Sequence, residues 1–457
     1  MMRFPGLAAA LVLAGISAPA QAPMTLAQAV EAALHNYPSI QVSQEQMNAA
    51  AAGIRLARTA YLPRVDAVGQ INRATRNNVF GLLLPTQGTI PSMSGPVIGS
   101  NNLGTAWGSA VGTLVSWEPF DFGLRRASVA AASAVRAESE AAWKRSQFDV
   151  MVAAADAYLT LAAAQETVRA AHAGVERSQT VARTIQALVK AELRPGADGS
   201  RAEAELAAAN TQLIQAEEAT EVARATVSQF VGVEPARIAI SAPGLLQLPP
   251  EESQSAPDAA SHPMSVEQHA VVAAAQAQLR ALERSYFPRF YLQGAAYARG
   301  TGAELNGRLL GGLNGLAPTV QDYALGLTVN FPVMDRPAIQ AREAEQSANM
   351  RAEAARARQI ATDLRAQWNA AVATVRGARR VAANTPVEVT AARAAAEQAN
   401  ARYQAGLGNI DEVAEAQRLL TQGEIDDALA RLGVWRGLLA VATAAGDIRP
   451  LVAEVSQ

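Results

Sequence analysis

Few residues in this chain of 457 have the types and spacing that catalysis or metal binding requires. The four histidines show no tight ligand spacing with carboxylates, so we predict surface or packing roles and no metal site for His35, His172, His262 and His269. Cysteine is absent, which excludes a disulfide framework, a thiolate metal site, a catalytic thiol and a lipidated N-terminal cysteine. No nucleophile elbow, phosphate-binding loop or dinucleotide-binding glycine run is present. The sequence therefore predicts neither an enzyme nor a cofactor.

Glu412 and Glu415 are the exception among the acidic residues. They are three residues apart at the beginning of a predicted helix, so their carboxylates lie on one helical face. Because the helix dipole favours carboxylates in a first turn, an ordinary structural role is available to both. Any further role depends on the elements that position them.

A helix of unusual length is the main predicted element. The segment from Leu124 to Arg194 contains no proline and would be about 105 Å long at 1.5 Å per residue. Its apolar residues recur at steps of four and three, as in a coiled-coil seam: Phe148, Val152, Ala155, Leu159 and Ala162. A rod of this length cannot bury its seam alone, so the rest of the chain must supply packing partners.

The composition agrees with close-packed helices. Hydrophobic residues make up 50% of the chain but aromatic residues only 5%, because alanine supplies much of the apolar count. Such a chain is too hydrophobic to be disordered. The net charge of −2 and the lack of a basic face exclude nucleic acid as a partner.

Residues 1–22 have the features of an export signal. Arg3 precedes a short apolar run from Leu7 to Ile16, and small-residue cleavage sites end at Ala20 or Ala22. The alternative is a first helix of the mature protein. No later stretch has about 20 uninterrupted apolar residues, so we predict no transmembrane helix. An exported chain of this kind is either soluble beyond the inner membrane or crosses an outer membrane as a β-barrel.

The order of elements occurs twice, which we interpret as an internal duplication. In residues 23–233, a helix ending at Tyr61–Arg64 precedes a strand, a loop, a second strand, the long helix, a turn and another helix. Residues 234–262 form a Pro- and Ser-rich linker. Residues 263–457 repeat the order, with Tyr286–Arg289 matching Tyr61–Arg64 and a second long helix from about Ala338 to Tyr403.

The four predicted strands alternate between apolar and polar residues. The second runs from Trp107 to Trp117 and the fourth from Tyr323 to Phe331. Tryptophans at both ends of one face fit a tilted membrane strand with interfacial aromatics, and the alternative is a sandwich strand with one wet face. Four strands cannot close a barrel, and open edges are not tolerated in lipid. Strands that span a membrane would therefore require several chains to share one barrel.

Taken in order, these features resemble the TolC-type outer-membrane efflux proteins, the exit ducts of tripartite export systems and of type I secretion. The resemblance covers nearly the whole mature chain. Besides the duplicated order, it rests on Tyr-(Leu/Phe)-Pro-Arg before each first strand and on local motifs at Phe120–Gly123, Asn400–Tyr403 with Gly406, and Ile410–Val413.

The resemblance implies a mainly α-helical fold with a small membrane β-barrel. Three chains would each contribute four strands to one shared barrel in the outer membrane, and their helices would form a tube across the periplasm. The partners implied are two further copies of the chain, outer-membrane lipid, a periplasmic adaptor and an inner-membrane pump. The loops at 76–104 and 300–318 would be extracellular, and 234–262 an equatorial belt. The predicted membrane-interface aromatics are Trp107, Trp117, Tyr323 and Phe331.

The resemblance also implies that the two helix turns are periplasmic tips that meet the adaptor. Their residues are Arg194, Pro195, Gly196, Gly406, Leu407 and Gly408, with the second turn matched to Pro195–Gly196. Glu412 and Glu415 match the acidic ring at the narrow entrance, where a trimer would favour cations. We expect Arg402, Tyr403 and Glu412 to take part in a gate that opens when inner helix pairs untwist and inter-chain contacts are lost.

Three local features carry separate expectations. Met334–Pro337 lacks the glycine that usually follows the aromatic-Asp pair, so the second strand-to-helix corner should differ from the first. Thr385–Glu388 resembles a helix start with Pro386 at its first position, which predicts a kink or a restart in the second long helix. Ser200 and Glu203 form a capping box that predicts the start of the helix after the first turn.

Two other functions compete with an export duct. A periplasmic coiled-coil adaptor or scaffold would also be exported and rich in hairpins, but it would have one helical hairpin flanked by soluble β-domains. A periplasmic binding protein or hydrolase is opposed by the missing site chemistry. The exported substrate stays open among drugs, metals and proteins, because a polar duct wall is unselective.

Overall fold

In a computed structural model of the protein, the structure describes residues 23–75, 104–241, 243–251, 256–304 and 308–455. The predicted export signal and nearly all of the first predicted loop lie outside these ranges. The helices are α1 (Leu26–Asn36), α2 (Pro38–Thr59), α3 (Leu124–Lys190), α4 (Gly196–Val231), α5 (Pro263–Arg284), α6 (Arg336–Gln404), α7 (Ile410–Ala445) and α8 (Arg449–Val455). The strands are β1 (Arg64–Thr75), β2 (Thr105–Phe120), β3 (Arg289–Thr301) and β4 (Val320–Asn330).

The described part of the protein is mainly helical and has four strands, as the sequence predicts; they form one antiparallel sheet in the order β1-β2-β3-β4. Contacts divide the chain into two compact units, which we call the sheet unit (Gln44–Ala142 and Val266–Gln359) and the hairpin unit (the described parts of Met1–Ser43, Trp143–Ser265 and Ile360–Gln457).

The sheet unit has one strongly apolar face. Directly paired residues share a face of an antiparallel sheet, and the register pairs Val65 with Val115, Val115 with Gly294, and Gly294 with Leu325. Exposed apolar side chains continue along this face: Ile71, Val111, Trp117, Leu292, Tyr323, Leu327 and Val329. The other face is more polar and carries Asp66, Gln70, Asn72, Ser116, Gln293 and Asp322. The edge strands β1 and β4 each pair on one side only within the described chain.

The corner between β2 and α3 is closed by one buried carboxylate. Asp121 is 7% exposed and accepts hydrogen bonds from the N–H of Gly123 (3.1 Å), the N–H of Arg125 (2.6 Å) and Arg125 Nε (2.9 Å). The Arg125 guanidinium lies over the Tyr61 ring at 4.8 Å. Asp121 therefore acts as the cap of the long helix.

The corner between β4 and α6 is built differently, as the missing glycine predicts. A 3₁₀ turn, Val333–Asp335, leads into α6, and Asp335 is exposed. Two positions after Asp335 stands Pro337, which has no N–H to donate, and four positions after it stands Ile339 in place of an arginine. Asp335 therefore lacks counterparts of the two residues, Gly123 and Arg125, that donate hydrogen bonds to Asp121.

The hairpin unit packs α1, α4, α7 and the linker around α3. The predicted seam of α3 is confirmed, because four of its five residues are buried and Val152 packs against them: Phe148, Ala155, Leu159 and Ala162. Helix α4 buries Ala216, Thr220, Ala223 and Val227. The linker contributes Ile238 and Leu245 to the same core.

Helix α7, Ile410–Ala445, is long and apolar enough, by length and composition alone, to cross a membrane, although the sequence analysis predicted no such helix. Core helices satisfy the same criteria. Leu432, Trp435 and Leu439 of α7 are buried in the main core of the hairpin unit, and packing accounts for its apolar character.

Two predicted helix boundaries are wrong. Helix α3 ends at Lys190 rather than Arg194, because Glu192 adopts a left-handed backbone conformation (φ +58°). Helix α4 begins at Gly196, after Pro195, so Ser200 lies inside the helix and does not cap it. The ring of Pro195 fixes its own φ at −59° at the N-cap position, and the helix begins directly after it, earlier than the capping box suggests.

Helix α6 does not restart at Pro386. It runs without a break from Arg336 to Gln404, and Thr385 Oγ1 donates a hydrogen bond to Asp427 Oδ1 (2.7 Å) instead of capping its own helix. Ala382 and Ala392, on either side of the proline, are buried. Their packing maintains the helix although proline removes one backbone hydrogen bond.

Candidate functional site: the two helix turns

The turn between α3 and α4 is closed by backbone hydrogen bonds. The N–H of Glu192 donates to the carbonyl of Val189 (2.9 Å), and the N–H of Leu193 donates to the carbonyl of Leu188 (2.9 Å). This pair of bonds is a Schellman motif, which requires a left-handed residue after the helix. Glycine is the usual residue there, and Glu192 takes that position under strain.

The turn between α6 and α7 has the same closure with an unstrained residue. The N–H of Gly406 donates to the carbonyl of Tyr403 (3.1 Å), the N–H of Leu407 donates to the carbonyl of Arg402 (2.8 Å), and Gly406 has φ +76°. The structural counterpart of Gly406 is thus Glu192. The predicted match of this turn to Pro195–Gly196 is wrong by several residues.

A polar joint connects the two turns through Tyr403. Arg194 reaches from the first turn to the second, where its guanidinium lies over the Tyr403 ring at 4.3 Å and donates from Nη2 to the Tyr403 carbonyl. Tyr403 Oη donates to Asp198 Oδ2 (2.7 Å) in the first turn of α4. Three side chains thereby tie the two hairpins together. We call them the turn joint: Arg194, Asp198 and Tyr403.

The turn joint lies in an apolar surrounding. Tyr403 is 1% exposed and packs in a cluster with Ala182, Ile185, Ala202, Ile410 and Val413. Burial, together with the hydrogen bond to Asp198, raises the pKa of Tyr403 to about 12. The hydroxyl is therefore protonated at neutral pH and remains the donor to the Asp198 carboxylate.

Of the other predicted gate residues, Arg402 and Glu412 come together. Arg402 Nε lies 3.8 Å from Glu412 Oε2, and Arg402 Nη2 donates to the carbonyl of Leu407 (3.2 Å) across the turn. The N–H of Glu412 donates to Asn409 Oδ1 (2.9 Å), so Asn409 is the cap of α7. Glu412 lies in the first turn, where the helix dipole favours its charge.

Glu415 is 72% exposed at its side chain and does not contact Glu412; its partner is Arg418 (2.8 Å). Arg418 also approaches Glu205 of α4 (3.8 Å), and Arg201 of α4 approaches Asp411 of α7 (3.4 Å). These exposed pairs add a second, weaker set of links between the hairpins.

Farther from the turns, Arg177 of α3 contacts α7. Its Nη2 donates to Thr421 Oγ1 (2.9 Å) and to Glu424 Oε2 (2.8 Å). Gly174 allows this close packing, because a Cβ there would lie 2.8 Å from Thr421 Oγ1. Sequence reasoning missed Arg177, Glu424 and Asp198, since nothing local indicates which helices pair.

The predicted tip residues all lie at or beside the two turns. Gly196 is the first residue of α4, and Leu193 and Leu407, which occupy equivalent positions of the two motifs, expose 68% and 73% of their surface. Each hairpin therefore has one exposed leucine at its end.

The four predicted interface aromatics belong to the sheet unit and lie at different positions along its strands. Trp107 and Trp117 are ten residues apart on β2, and Phe331 follows the last residue of β4. The register places Tyr323 opposite Ala296, and Ala296 opposite Thr113, between the two tryptophans. Sequence reasoning missed further aromatics at the helical end of the strands: Phe120, Phe122, Phe287 and Phe290.

Within the described parts of the chain, no group of three or more His, Asp or Glu residues could hold a metal ion. His262 is 4% exposed; its Nδ1 accepts from the N–H of Met264 (3.1 Å), so Nε2 carries the proton and donates to the carbonyl of Thr443 (3.0 Å). Burial lowers the pKa of His262. It is a packing residue.

Solved outer-membrane channels share this fold. The structure of the Campylobacter jejuni CmeC outer membrane channel matches with a TM-score of 0.73, covering 100% of this chain and 98% of that one at 14% identity. The outer membrane protein VceC of Vibrio cholerae matches with a TM-score of 0.70, covering 92% and 96% at 18% identity. At these identities the likeness concerns the fold alone.

The sequence profile described as outer membrane efflux protein matches residues 29–233 and 260–447, so the chain belongs to the outer membrane efflux protein family. Members are outer-membrane channels rather than enzymes, and the protein lies in the outer membrane and extends into the periplasm. Protein CyaE of Bordetella pertussis is 27% identical over 227 residues, which cover 49% of this chain and 43% of that protein. The aligned region thus spans less than half of that relative.

Proposed function

We propose that the protein is the outer-membrane channel of a tripartite efflux or type I secretion system. In this role it works as a passive, gated duct. An inner-membrane pump delivers the substrate through a periplasmic adaptor, and the duct itself hydrolyses nothing. The observation that carries the proposal is the sheet unit, whose exposed apolar face and unpaired edge strands cannot be stable alone in lipid.

The unpaired edges favour a homotrimer. Three chains with four strands each would make a closed barrel of 12 strands, in which β4 of one chain pairs with β1 of the next. The apolar face with Tyr323, Leu325 and Leu327 would then contact lipid, and the polar face with Asp66, Gln70 and Asp322 would line the lumen.

The chain organisation supports a duct that extends far from the membrane. Helices α3 and α6 have 67 and 69 residues, or about 100 Å each at 1.5 Å per residue. We infer two repeats, 23–233 and 263–457, joined by the linker at 234–262 and preceded by an export signal at 1–22. The shared Schellman closure of the two turns supports this duplication.

The turn joint is the proposed closed-state contact of the gate. Tyr403 is held by a cation–π contact and by a hydrogen bond to a carboxylate, while the exposed ion pairs around it are weak. Separation of the α6–α7 hairpin from the α3–α4 hairpin would break the joint. Glu412 and Glu415 would line the entrance, and Leu193 and Leu407 would contact the adaptor.

The test combines location, assembly and conductance of the full-length protein. Membrane fractionation should place it in the outer membrane, and mild detergent should release a trimer. The purified trimer in a planar bilayer should show low resting conductance that rises in variants of the turn joint. A soluble monomer, or a membrane protein without conductance in any variant, would refute the duct.

A further inference from the structure

The helical end of the β3–β4 pair, here called the second corner, carries two arginines without a carboxylate partner: Arg284 ends α5 before β3, and Arg336 begins α6 after β4. The guanidinium of Arg336 lies over the Tyr286 ring at 5.2 Å, and that of Arg284 lies over the Phe287 ring at 5.6 Å. No carboxylate lies within ion-pair distance of either in the described chain. Each guanidinium keeps its N–H donors while one of its faces rests on an aromatic ring.

Each of the two rings packs against a second aromatic ring. Tyr286 packs edge-on against Phe331 (5.6 Å), and Phe287 stacks on Phe122 (5.7 Å). We call these four residues the aromatic shelf. Next to Arg336 along the chain, Val333 and Met334 expose 61% and 88% of their surface. The corner therefore combines exposed apolar side chains with two available cations.

The charge of this corner is not balanced by its own acids. Glu118 is engaged by Arg289 (2.7 Å) and Asp121 by Arg125 (2.9 Å). Glu283 and Asp335 are neighbours of Arg284 and Arg336 along the chain, but neither forms an ion pair with them. An anionic ligand with an apolar part would satisfy both properties of the surface.

We propose that Arg284 and Arg336 form a binding site for the phosphate of a phospholipid headgroup. The lipid comes from the leaflet that faces the periplasm, and the aromatic shelf and Met334 contact its glycerol and the first methylene groups of its acyl chains. Guanidinium groups match phosphate oxygens in charge and in their forked geometry, and aromatic residues are favoured at headgroup depth. The proposal rests on the proposed insertion of the strands in the outer membrane.

The first corner explains why the site occurs once in the chain. There Arg125 also lies over a tyrosine, Tyr61, but it is 7% exposed and bound to Asp121. The exchange of Gly123 for Pro337 and of Arg125 for Ile339 removes this internal partner at the second corner. The arginine of the first corner, Arg125, is thus bound to a carboxylate of the same corner, whereas Arg336 of the second corner is open to a ligand.

The test uses the full-length trimer in detergent and a short-chain phosphatidylglycerol as the probe. Binding is measured by native mass spectrometry and by titration of tryptophan fluorescence. The double variant Arg284→Ala/Arg336→Ala should lower the affinity about tenfold or more. The matched control is Arg126→Ala, which removes an exposed arginine of the first turn of α3 that contacts no ring. It should leave the affinity unchanged.

Each possible result decides the proposal. An unchanged affinity in the double variant, an equal loss in Arg126→Ala, or displacement of the lipid by equimolar inorganic phosphate would overturn it. The double variant should still be found in the outer membrane as a trimer. Failure of the unaltered protein to reach that membrane would instead refute the proposed function, so the two failures are distinguishable.

Discussion

After β2, the carboxylate of Asp121 is buried and accepts three hydrogen bonds; after β4, the carboxylate of Asp335 is exposed and accepts none from α6. The contrast is reversed at the helix turns. The first turn holds Glu192 in a left-handed conformation, whereas the second has Gly406 there. The first half thus has a tightly capped corner and a strained turn, and the second half an open corner and a relaxed turn.

Single residues account for these differences between two halves that have the same order of elements. Asp121 can cap a helix only because Gly123 offers an N–H and Arg125 a guanidinium, and Pro337 and Ile339 offer neither. The two turns tolerate glycine or glutamate because the same two hydrogen bonds close both. The predictions below test these differences in order of expected effect.

The largest effect is expected where the two halves meet, at Tyr403. Tyr403→Phe removes the hydrogen bond to Asp198 and leaves that carboxylate without its donor. A hydrogen bond to a charged group contributes about 2 kcal/mol, so the open fraction should rise roughly 30-fold. Single-channel conductance in a planar bilayer measures it.

The control for Tyr403 is Tyr158→Phe, which removes a hydroxyl that bonds to the Met24 and Ser241 carbonyls. It should lower stability without raising conductance. Because the pKa of Tyr403 is about 12, titration of Tyr403 should cause no change in conductance between pH 6 and 9. Equal conductance of the Tyr403→Phe and Tyr158→Phe variants would show that Tyr403 is not part of the gate.

The two corners should respond unequally to loss of charge. Asp121→Asn should lower the free energy of unfolding by about 2 kcal/mol, and Asp335→Asn by less than about 0.5 kcal/mol, since only the first carboxylate is buried and bonded. Guanidinium unfolding of the purified protein measures both. Equal losses would contradict the difference between the corners.

The same contrast predicts a pH dependence. Burial opposes ionisation of Asp121, but the hydrogen bonds from Arg125 and Gly123 outweigh it and hold the pKa of that carboxyl below its usual value. Its contribution to stability is therefore complete above the ordinary pKa and is lost as the pH falls through the lowered one. Asp121→Asn should flatten this acid-side loss of stability.

Substitution of the left-handed residue should change the stability of the protein in opposite directions at the two turns. Gly406→Ala places a Cβ in a left-handed conformation and should lower stability by about 1–2 kcal/mol, whereas Glu192→Gly should raise it by about 0.5 kcal/mol. Thermal melting of the trimer is the measurement. Gly53→Ala, in the interior of α2 with open space for a Cβ, is the control and should be neutral or stabilising.

The smallest effect is expected at the exposed pair beside the second turn. Arg402→Ala and Glu412→Ala each remove a contact of 3.8 Å between partly exposed groups, worth about 0.5 kcal/mol or less. Each should raise resting conductance about twofold, and Glu415→Ala should change it less. Unchanged closed-state conductance in both variants would exclude this pair from the gate.

The sequence predicted what depends on local periodicity and failed where distant contacts decide. The alternation of Val111, Val115 and Trp117 identified a strand and its faces, since side-chain direction follows from the backbone alone. The turn joint could not be predicted, because Arg194 and Tyr403 are 209 residues apart and meet only when the hairpins pack. Pro386 does not start a new helix, because packing outweighs the local helix-start signal, and the expected kink stays a prediction.

The turn joint has one further consequence, because Arg194, Asp198 and Tyr403 belong to a single polypeptide. Each subunit of the proposed trimer would therefore carry its own latch, closed by contacts within one chain. Latches of this kind release independently, so mixed trimers with one, two or three Tyr403→Phe subunits should conduct in graded steps. The duct would open by increments rather than all at once.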